Sequence, residues 1–252
     1  MRVLTGNSRK SKIIRIAAAA ALTGMLALFA VSCKWTIGVV RGSGDLKTEE
    51  RDVSGFDEVH FSGMGNLIIE QGEEESLTIE ADDNIIDLIE TDVRGDELKI
   101  EFRRGFNIVP TTKIKYLLTV KDLNRIDLTG VGDIDCDGFR AGDLEFHISG
   151  SGNIDFVIDA DRLETHVSGL GDIDLEGKVD FHKVQISGSG KYDARDLESR
   201  KCEVKISGLG SATVNVSGEL DIDISGAGNV YYIGEPDISQ HISGLGRIKS
   251  LD

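Results

Sequence analysis

The sequence predicts an all-β fold, a parallel β-helix-like solenoid with coils of about 18–20 residues. Three observations carry this. A marker, apolar-polar-apolar-Ser-Gly-x-Gly-polar-apolar, recurs through the C-terminal half, with first glycines at Gly130, Gly150, Gly169, Gly188, Gly208, Gly226 and Gly244. A period of about 20 residues marks a solenoid whose units are too small to hold a core alone. Around each marker, residues alternate with period two, the pattern of strands with one buried face. Finally, equivalent positions carry like residues: Leu128, Ile148, Val167, Ile186, Ile206, Ile224 and Ile242 stand two before the glycine, and Thr129 followed by six serines stands one before it. An antiparallel meander with hairpins at the glycines also satisfies the first two observations. The third favours stacked coils, since every copy then meets the same environment.

Taken in order, the chain opens with a basic segment, Arg2, Arg9, Lys10, Lys12 and Arg15, followed by an alanine-rich apolar stretch from Ile16 to Val31. Residues 1–32 thus have the form of a secretory signal rather than of a lasting membrane span. The run Ala30-Val31-Ser32-Cys33 resembles a bacterial lipobox, in which Cys33 receives the acyl chains, although Ala30 stands where leucine is usual. An ordinary signal peptide with an incidental cysteine is the alternative. Residues 33–41 are then the lipidated cysteine and a short tether, and 42–252 the folded domain. Removing the signal's five positive charges takes the formal charge from −16 to −21. So acidic a domain repels nucleic acid and anionic head groups, which leaves the lipid as its route to the membrane. The expected location is the bacterial cell envelope, on an extracytoplasmic face.

Early marker copies stand at Gly42 (GSGDL) and Gly63 (SGMGNL). Residues 66–129 lack the marker but keep strand patterns (LIIEQ, SLTIEA, ELKIEF, KIKYLLTV), with room for about three unmarked coils. Asp83 to Glu90 reads as a two-turn helix with an Asp or Asn cap. The segment 103–112 is the least regular. From Arg125 on, each repeat reads strand, glycine corner, strand, polar corner: Leu144, Phe146 and Ile148 face inward, and Glu145 and His147 outward. Leu163, Thr165 and Val167, then Cys202, Val204 and Ile206, repeat this. Strict alternation turns both corner glycines inward. The second glycines are Gly132, Gly152, Gly171, Gly190, Gly210, Gly228 and Gly246. A sharp corner is glycine's ordinary use, and no helix follows to make a dinucleotide site. Cys136 and Cys202 lie on different limbs of distant coils, so both are expected as buried free thiols. The last coil has only part of its second strand, so its edge is expected to fray, to associate end to end, or to be covered by the segment around Phe106.

RDVSGFDEVHFSGMGNLIIEQGEEESLTIEADDNIIDLIE, followed by repeated SGSGNID and SGLGDID units, resembles the GIN-domain family, the head domains ascribed to autotransporter adhesins. The likeness covers about residues 42 to 250. It implies a right-handed β-helix, export and frequent lipid anchoring, and it carries over no catalytic residues.

Candidate chemistry lies on the outward columns. Asp135, Asp155, Asp174 and Asp193 stand five residues after successive glycines, flanked by Asp133 and Asp172. Such a row suits either calcium or plain solvation. The calcium nonapeptide places its aspartate where Ile173 stands here, which favours solvation. Three residues before the glycines come Asp127, His147, His166 and Gln185; His147 and His166 on neighbouring strands make a transition-metal pair lacking a fixed third ligand. His60 and His241 fall in the same column in remote coils, and His182 falls inward. The residues between the glycines, Met64, Val131, Ser151, Leu170, Ser189, Leu209, Ala227 and Leu245, form either an exposed apolar ridge or corner filling.

No cofactor is expected. The function these readings favour is a non-enzymatic, lipid-anchored adhesive, binding or scaffold module, with a surface glycan or protein as ligand and self-association through the ridge or the C-terminal edge. A carbohydrate-active β-helix enzyme is disfavoured because short, uniform corners leave little room for a cleft. An envelope-stress or signalling component acting through a protein partner is a third reading.

Overall fold

The computed structural model describes residues 38–251; the signal segment and Cys33 lie outside them. The fold is nearly all β, 69% strand and 2% helix, in a parallel solenoid of about seven turns. The stack is built from β3 (Glu58–Phe61), β10 (Arg125–Leu128), β11 (Val131–Ile148), β12 (Ile154–Val167), β13 (Ile173–Ile186), β14 (Lys191–Ile206) and β15 (Ser211–Ile224), each parallel to the next. Its far end is β16 (Val230–Ile233), β17 (Asp237–Ile242) and β18 (Ile248–Ser250).

Register matches the repeats. Phe61, Leu128, Ile148, Val167, Ile186, Ile206, Ile224 and Ile242 pair in sequence. All are buried except Ile242, on the last rung, which is 42% exposed. At about 1.5–3 kcal/mol per buried aliphatic side chain, this column is a principal source of stability. Strands β11 to β15 each run 14 to 18 residues, so one strand spans both limbs of a coil. Only the glycine corner interrupts the ladder. The polar corner is a bend within the strand, eased in places by bulges such as that between Cys136 and Phe139, which bend a strand without ending its pairing.

The corner glycines have a more specific cause than inward crowding. A β-carbon on Gly169 would sit 2.0 Å from the carbonyl oxygen of Gly150, and one on Gly188 2.2 Å from that of Gly169. The second glycines repeat this, Gly171 against Gly152 at 1.9 Å. The crowding therefore runs along the stack, against the backbone of the rung before.

Residues 66–129 depart from the expected three coils. β4 (Met64–Gln71) pairs in parallel with both β11 and β9 (Lys115–Val120), and β7 (Glu97–Phe102) pairs in parallel with β3. Thus β7 and β9 supply one unmarked rung, placed outside the earlier β3 and β4. The rest is antiparallel covering. β5 (Ser76–Asp82) pairs with β9, β2 (Leu46–Arg51) with β5, and β6 (Ile89–Arg94) with β7. These antiparallel strands close this end of the stack. The helix is a single turn, α1 (Asp83–Ile86), rather than two. Gly42 is not a corner of the stack. It lies against Asp82, whose oxygen a β-carbon there would meet at 2.0 Å. The Asp82 carboxylate is buried and accepts N–H bonds from Gly44, Thr111 and Thr112 at 2.8–3.1 Å. Burial alone would raise its pKa; these bonds outweigh it and hold the group below the usual carboxylate range.

One expectation about the ends is corrected by this topology. The segment around Phe106 forms β8 (Phe106–Val109), paired with β1 (Gly38–Arg41), and so does not cover the C-terminal edge. At that edge β17 pairs with β15 and β18 with β16, and no further strand follows among the described residues.

A polar cluster is buried between the limbs of the stack. His182, Tyr192 and Thr165 are all buried; His182 Nε2 lies 2.6 Å from the Tyr192 hydroxyl, which lies 3.3 Å from Thr165 Oγ1. Histidine Nδ1 has no partner. The cheapest arrangement has Nε2–H donating to Tyr192 and Tyr192 donating to Thr165, leaving an acceptor rather than a donor unmatched. Burial lowers the His182 pKa to about 3. In the unfolded chain the group titrates near 6.5. Below that pH the unfolded state takes a proton that the folded state refuses, so stability falls as pH drops from about 6.5 toward 3. The loss amounts to roughly 3 kcal/mol by pH 4.5. His182→Leu, between Leu163 and Cys202 in register, should remove that loss. Urea unfolding at pH 7.0 and 4.5 measures it, and an equal loss in both proteins would show that His182 is not the source. Cys136 and Cys202 are free and buried.

Candidate functional site

Outward side chains of stacked strands fall into columns, and three columns bear on function. The first runs on the limb before the corner. His60, Asp127, His147 and His166 occupy one register position on β3, β10, β11 and β12. The sequence places His60 in a remote coil. The N-terminal topology instead sets β3 directly beside β10, so His60 stands next to Asp127. His241 does lie far along the column, beyond Gln185, Lys205 and Asp223.

Within this column Glu145, two residues before His147 and on the same outward face, joins the two histidines. Its Oε1 lies 2.5 Å from His147 Nε2 and 3.4 Å from His166 Nε2, and the imidazole centroids are 4.7 Å apart. The potential ligand atoms of Glu145, His147 and His166 all lie within 4.8 Å of one another, as do those of His60, Glu97 and Asp127. Asp127, a member of the second set, links it to the first, with one oxygen 3.8 Å from His147 Nδ1 and the other 3.8 Å from His60 Nδ1. Arg125 pairs with Asp127 at 3.1 Å, and its Nη2 lies 3.2 Å from His147 Nδ1. Neighbouring Glu164 lies 3.8 Å from His166 Nε2 and accepts a hydrogen bond from Lys183 at 2.9 Å, which with Arg162 lowers its pKa against the opposing effect of burial. Glu145 is the residue that sequence reasoning missed. Its signal was present as an outward Glu-x-His on one strand, but only the tertiary register shows that its carboxylate reaches both rings.

The second column is the acidic row after the corner. Asp135, Asp155, Asp174 and Asp193 pair successively in register. They are not equivalent. Asp193 is 5% exposed and bound by Lys191 at 2.6 Å and Arg195 at 2.7 Å, which hold its pKa down despite burial. Asp155 shows the opposite shift, upward, from partial burial and then from the charges of Asp174, Asp135 and Asp133. Asp135 accepts a hydrogen bond from Asn66 at 2.7 Å. The flanking Asp133 and Asp172 accept backbone N–H bonds from Asn153 and Lys191 at 3.1 and 3.0 Å. Those two carboxylates thereby tie one rung to the next. Glu70 and Glu176 join Asp135, Asp155 and Asp174 around a half-open pocket.

The third column is the corner ridge. Met64, Val131, Ser151, Leu170 and Ser189 stack in order. Of the two readings left open by the sequence, the structure takes the exposed one: Val131, Leu170, Leu209 and Leu245 are 57%, 59%, 72% and 87% exposed. They point outward because both flanking glycines are pressed along the stack. From Ser151 on, small and large residues alternate, so each leucine is bordered by Ser or Ala.

Residues 55–236 match the family described as "Putative auto-transporter adhesin, head GIN domain". Among solved structures, a "putative adhesin" of Bacteroides fragilis is 28% identical with a TM-score of 0.81, over 84% of this chain and all of that one. A "putative lipid binding protein" of Parabacteroides distasonis is 27% identical with a TM-score of 0.65, over 85% of this chain and all of that one. A "putative adhesin" of Parabacteroides merdae, 23% identical with a TM-score of 0.67 over 85% of this chain and all of that one, shares the fold. No curated protein matches the chain. No helix among the described residues is long and apolar enough to cross a membrane.

Proposed function

Because the chain belongs to the GIN-domain family, we propose that it is a non-enzymatic contact protein of the cell envelope, tethered through a lipidated Cys33 and gripping a protein partner along the corner ridge. The observation that carries this is the line of Val131, Leu170, Leu209 and Leu245 held in water on a rigid β-stack. Exposed apolar strips of this kind are contact surfaces. The ridge is aliphatic, with none of the aromatic platforms that stack on sugar rings, which favours a protein over a glycan.

Several observations support a binding role over catalysis. The thiols are poor nucleophiles: burial raises the Cys136 pKa to about 11 and pushes Cys202 higher, and the thiolate is the reactive form. His182 is sealed in the core. The aspartates of the acidic row are spread one per strand along the stack. The lipid-binding label of one relative has its natural counterpart here in the anchor, since side chains fill the solenoid interior.

The test is adhesion of cells displaying the full chain, compared with a Leu170→Glu/Leu209→Glu variant and with Cys33→Ser. The ridge variant should keep its far-UV spectrum and membrane retention but lose most adhesion. Cys33→Ser should leave the membrane fraction and abolish labelling by a fatty-acid analogue. Undiminished adhesion by the folded ridge variant would refute the ridge, and membrane retention of Cys33→Ser would refute the anchor.

A further inference from the structure

We propose that Glu145, His147 and His166 form a binding site for one divalent first-row transition ion, zinc being the best fit, with Asp127 orienting His147 for it. Three donor atoms lie within 4.8 Å of one another on a surface whose backbone is fixed on both sides by parallel pairing. Two imidazole nitrogens and a carboxylate oxygen are a borderline-to-hard set, suited to zinc and its neighbours rather than to calcium.

The distances agree with that assignment. Zinc binds nitrogen and oxygen at about 2.0–2.2 Å, which sets tetrahedral donors about 3.3–3.5 Å apart. The Glu145–His166 separation is already 3.4 Å. The Glu145–His147 contact of 2.5 Å is a hydrogen bond that an ion replaces by spreading the two groups about 1 Å. Side chains on adjacent rungs make such a change without moving the backbone.

Protons fix the role of Asp127. Without an ion, Arg125 donates to His147 Nδ1, so the ring's proton sits on Nε2 and is given to Glu145. An ion at Nε2 requires the other tautomer, with its proton on Nδ1 and the bulk proton balance unchanged. Asp127 Oδ1, 3.8 Å from Nδ1, is the acceptor for it. Arg125 already holds Asp127 through Nε at 3.1 Å to each oxygen, so it can release His147 and keep the carboxylate in place. This is the carboxylate–histidine–metal relay that commonly supports a ligating imidazole. Partial exposure of all three donors leaves a coordination position for water or for a donor from a ligand. The site lies on the limb before the corner, apart from the ridge, so it stands or falls independently of the contact function.

Zinc alone, titrated calorimetrically into the full chain expressed without a polyhistidine tag, tests this. One zinc per chain is expected, with a rise in melting temperature on binding. His147→Ala and His166→Ala should each remove both effects, and Asp127→Asn should weaken binding about 10–100-fold. His241→Ala, in the same column but on the last rung, should bind as the parent does. Far-UV spectra establish that every variant is folded. The proposal is overturned if the parent takes up no zinc, if the two histidine variants still bind it, or if Asp155→Asn/Asp174→Asn abolishes binding instead.

Discussion

Ile186→Asp is expected to unfold the middle of the solenoid, whereas Gln185→Asp, one residue away, should change stability by no more than about 0.5 kcal/mol. Ile186 is 2% exposed and packs between Val167 and Ile206 in the central column. The substitution removes about 1.5–3 kcal/mol of apolar burial and places an unpaired carboxylate where desolvation costs several kcal/mol more. Against a domain stability of about 5–15 kcal/mol, that is enough to lose the native array. Gln185 points outward between His166 and Lys205, and an aspartate there stays hydrated. Since each rung contacts only its neighbours, damage should spread outward from β13. Thermal unfolding and amide exchange measure this, with the earliest loss of protection at Val167 and Ile206. Equal effects from the two substitutions would refute the assignment of the faces.

The second large effect is expected at a glycine corner. In Gly169→Ala the new β-carbon starts 2.0 Å from the Gly150 oxygen and 2.9 Å from the Ser149 carbonyl carbon. Neither is a flexible side-chain end, so the rungs must part by more than about 1 Å to reach ordinary contact. Parting stretches the backbone bonds from Gly169 to Ile148 and from Leu170 to Gly150, both 3.1 Å. Two weakened hydrogen bonds at about 1 kcal/mol each, with about 1–3 kcal/mol of strain, give a loss of about 3–5 kcal/mol. Gly142→Ala is the matched control, because a β-carbon there meets nothing within 4 Å. Denaturant unfolding of the pair should differ by several kcal/mol. A Gly169→Ala protein as stable as the parent would mean that the corners are loose enough to yield.

The repeating half of the chain was legible because a stacked coil states its own register. Ile148, Val167 and Ile186 could be aligned by eye, and their pairing follows that alignment. The N-terminal part was not legible in the same way. Strand patterns such as SLTIEA and ELKIEF are indifferent to direction: β5 pairs antiparallel with β9, whereas β7 pairs in parallel with β3. Alternation fixes which face is buried and leaves open which neighbour is chosen. The misplacement of His60 followed from this, since its distance from Asp127 depends on how β3 is inserted beside β10.

Within the candidate sites the same division holds. His147 and His166 were identifiable as neighbours because equivalent positions of adjacent coils must stack. Glu145 was not identifiable as their partner, because reaching both rings depends on side-chain geometry that no periodicity encodes. The aspartates at 135, 155, 174 and 193 were aligned by repeat number, but Lys191 and Arg195 set Asp193 apart from the others.

By itself the sequence determined the solenoid, its period, the buried columns and the family resemblance, because each is a local pattern repeated until only one stacking satisfies it. Tertiary structure alone decided the direction of the corner glycines, the exposure of the ridge, the antiparallel covering of the N-terminal end and the convergence of Glu145 on two histidines. Those depend on contacts between residues far apart in the chain, where packing and backbone approach, rather than local preference, select among arrangements that the pattern leaves equal.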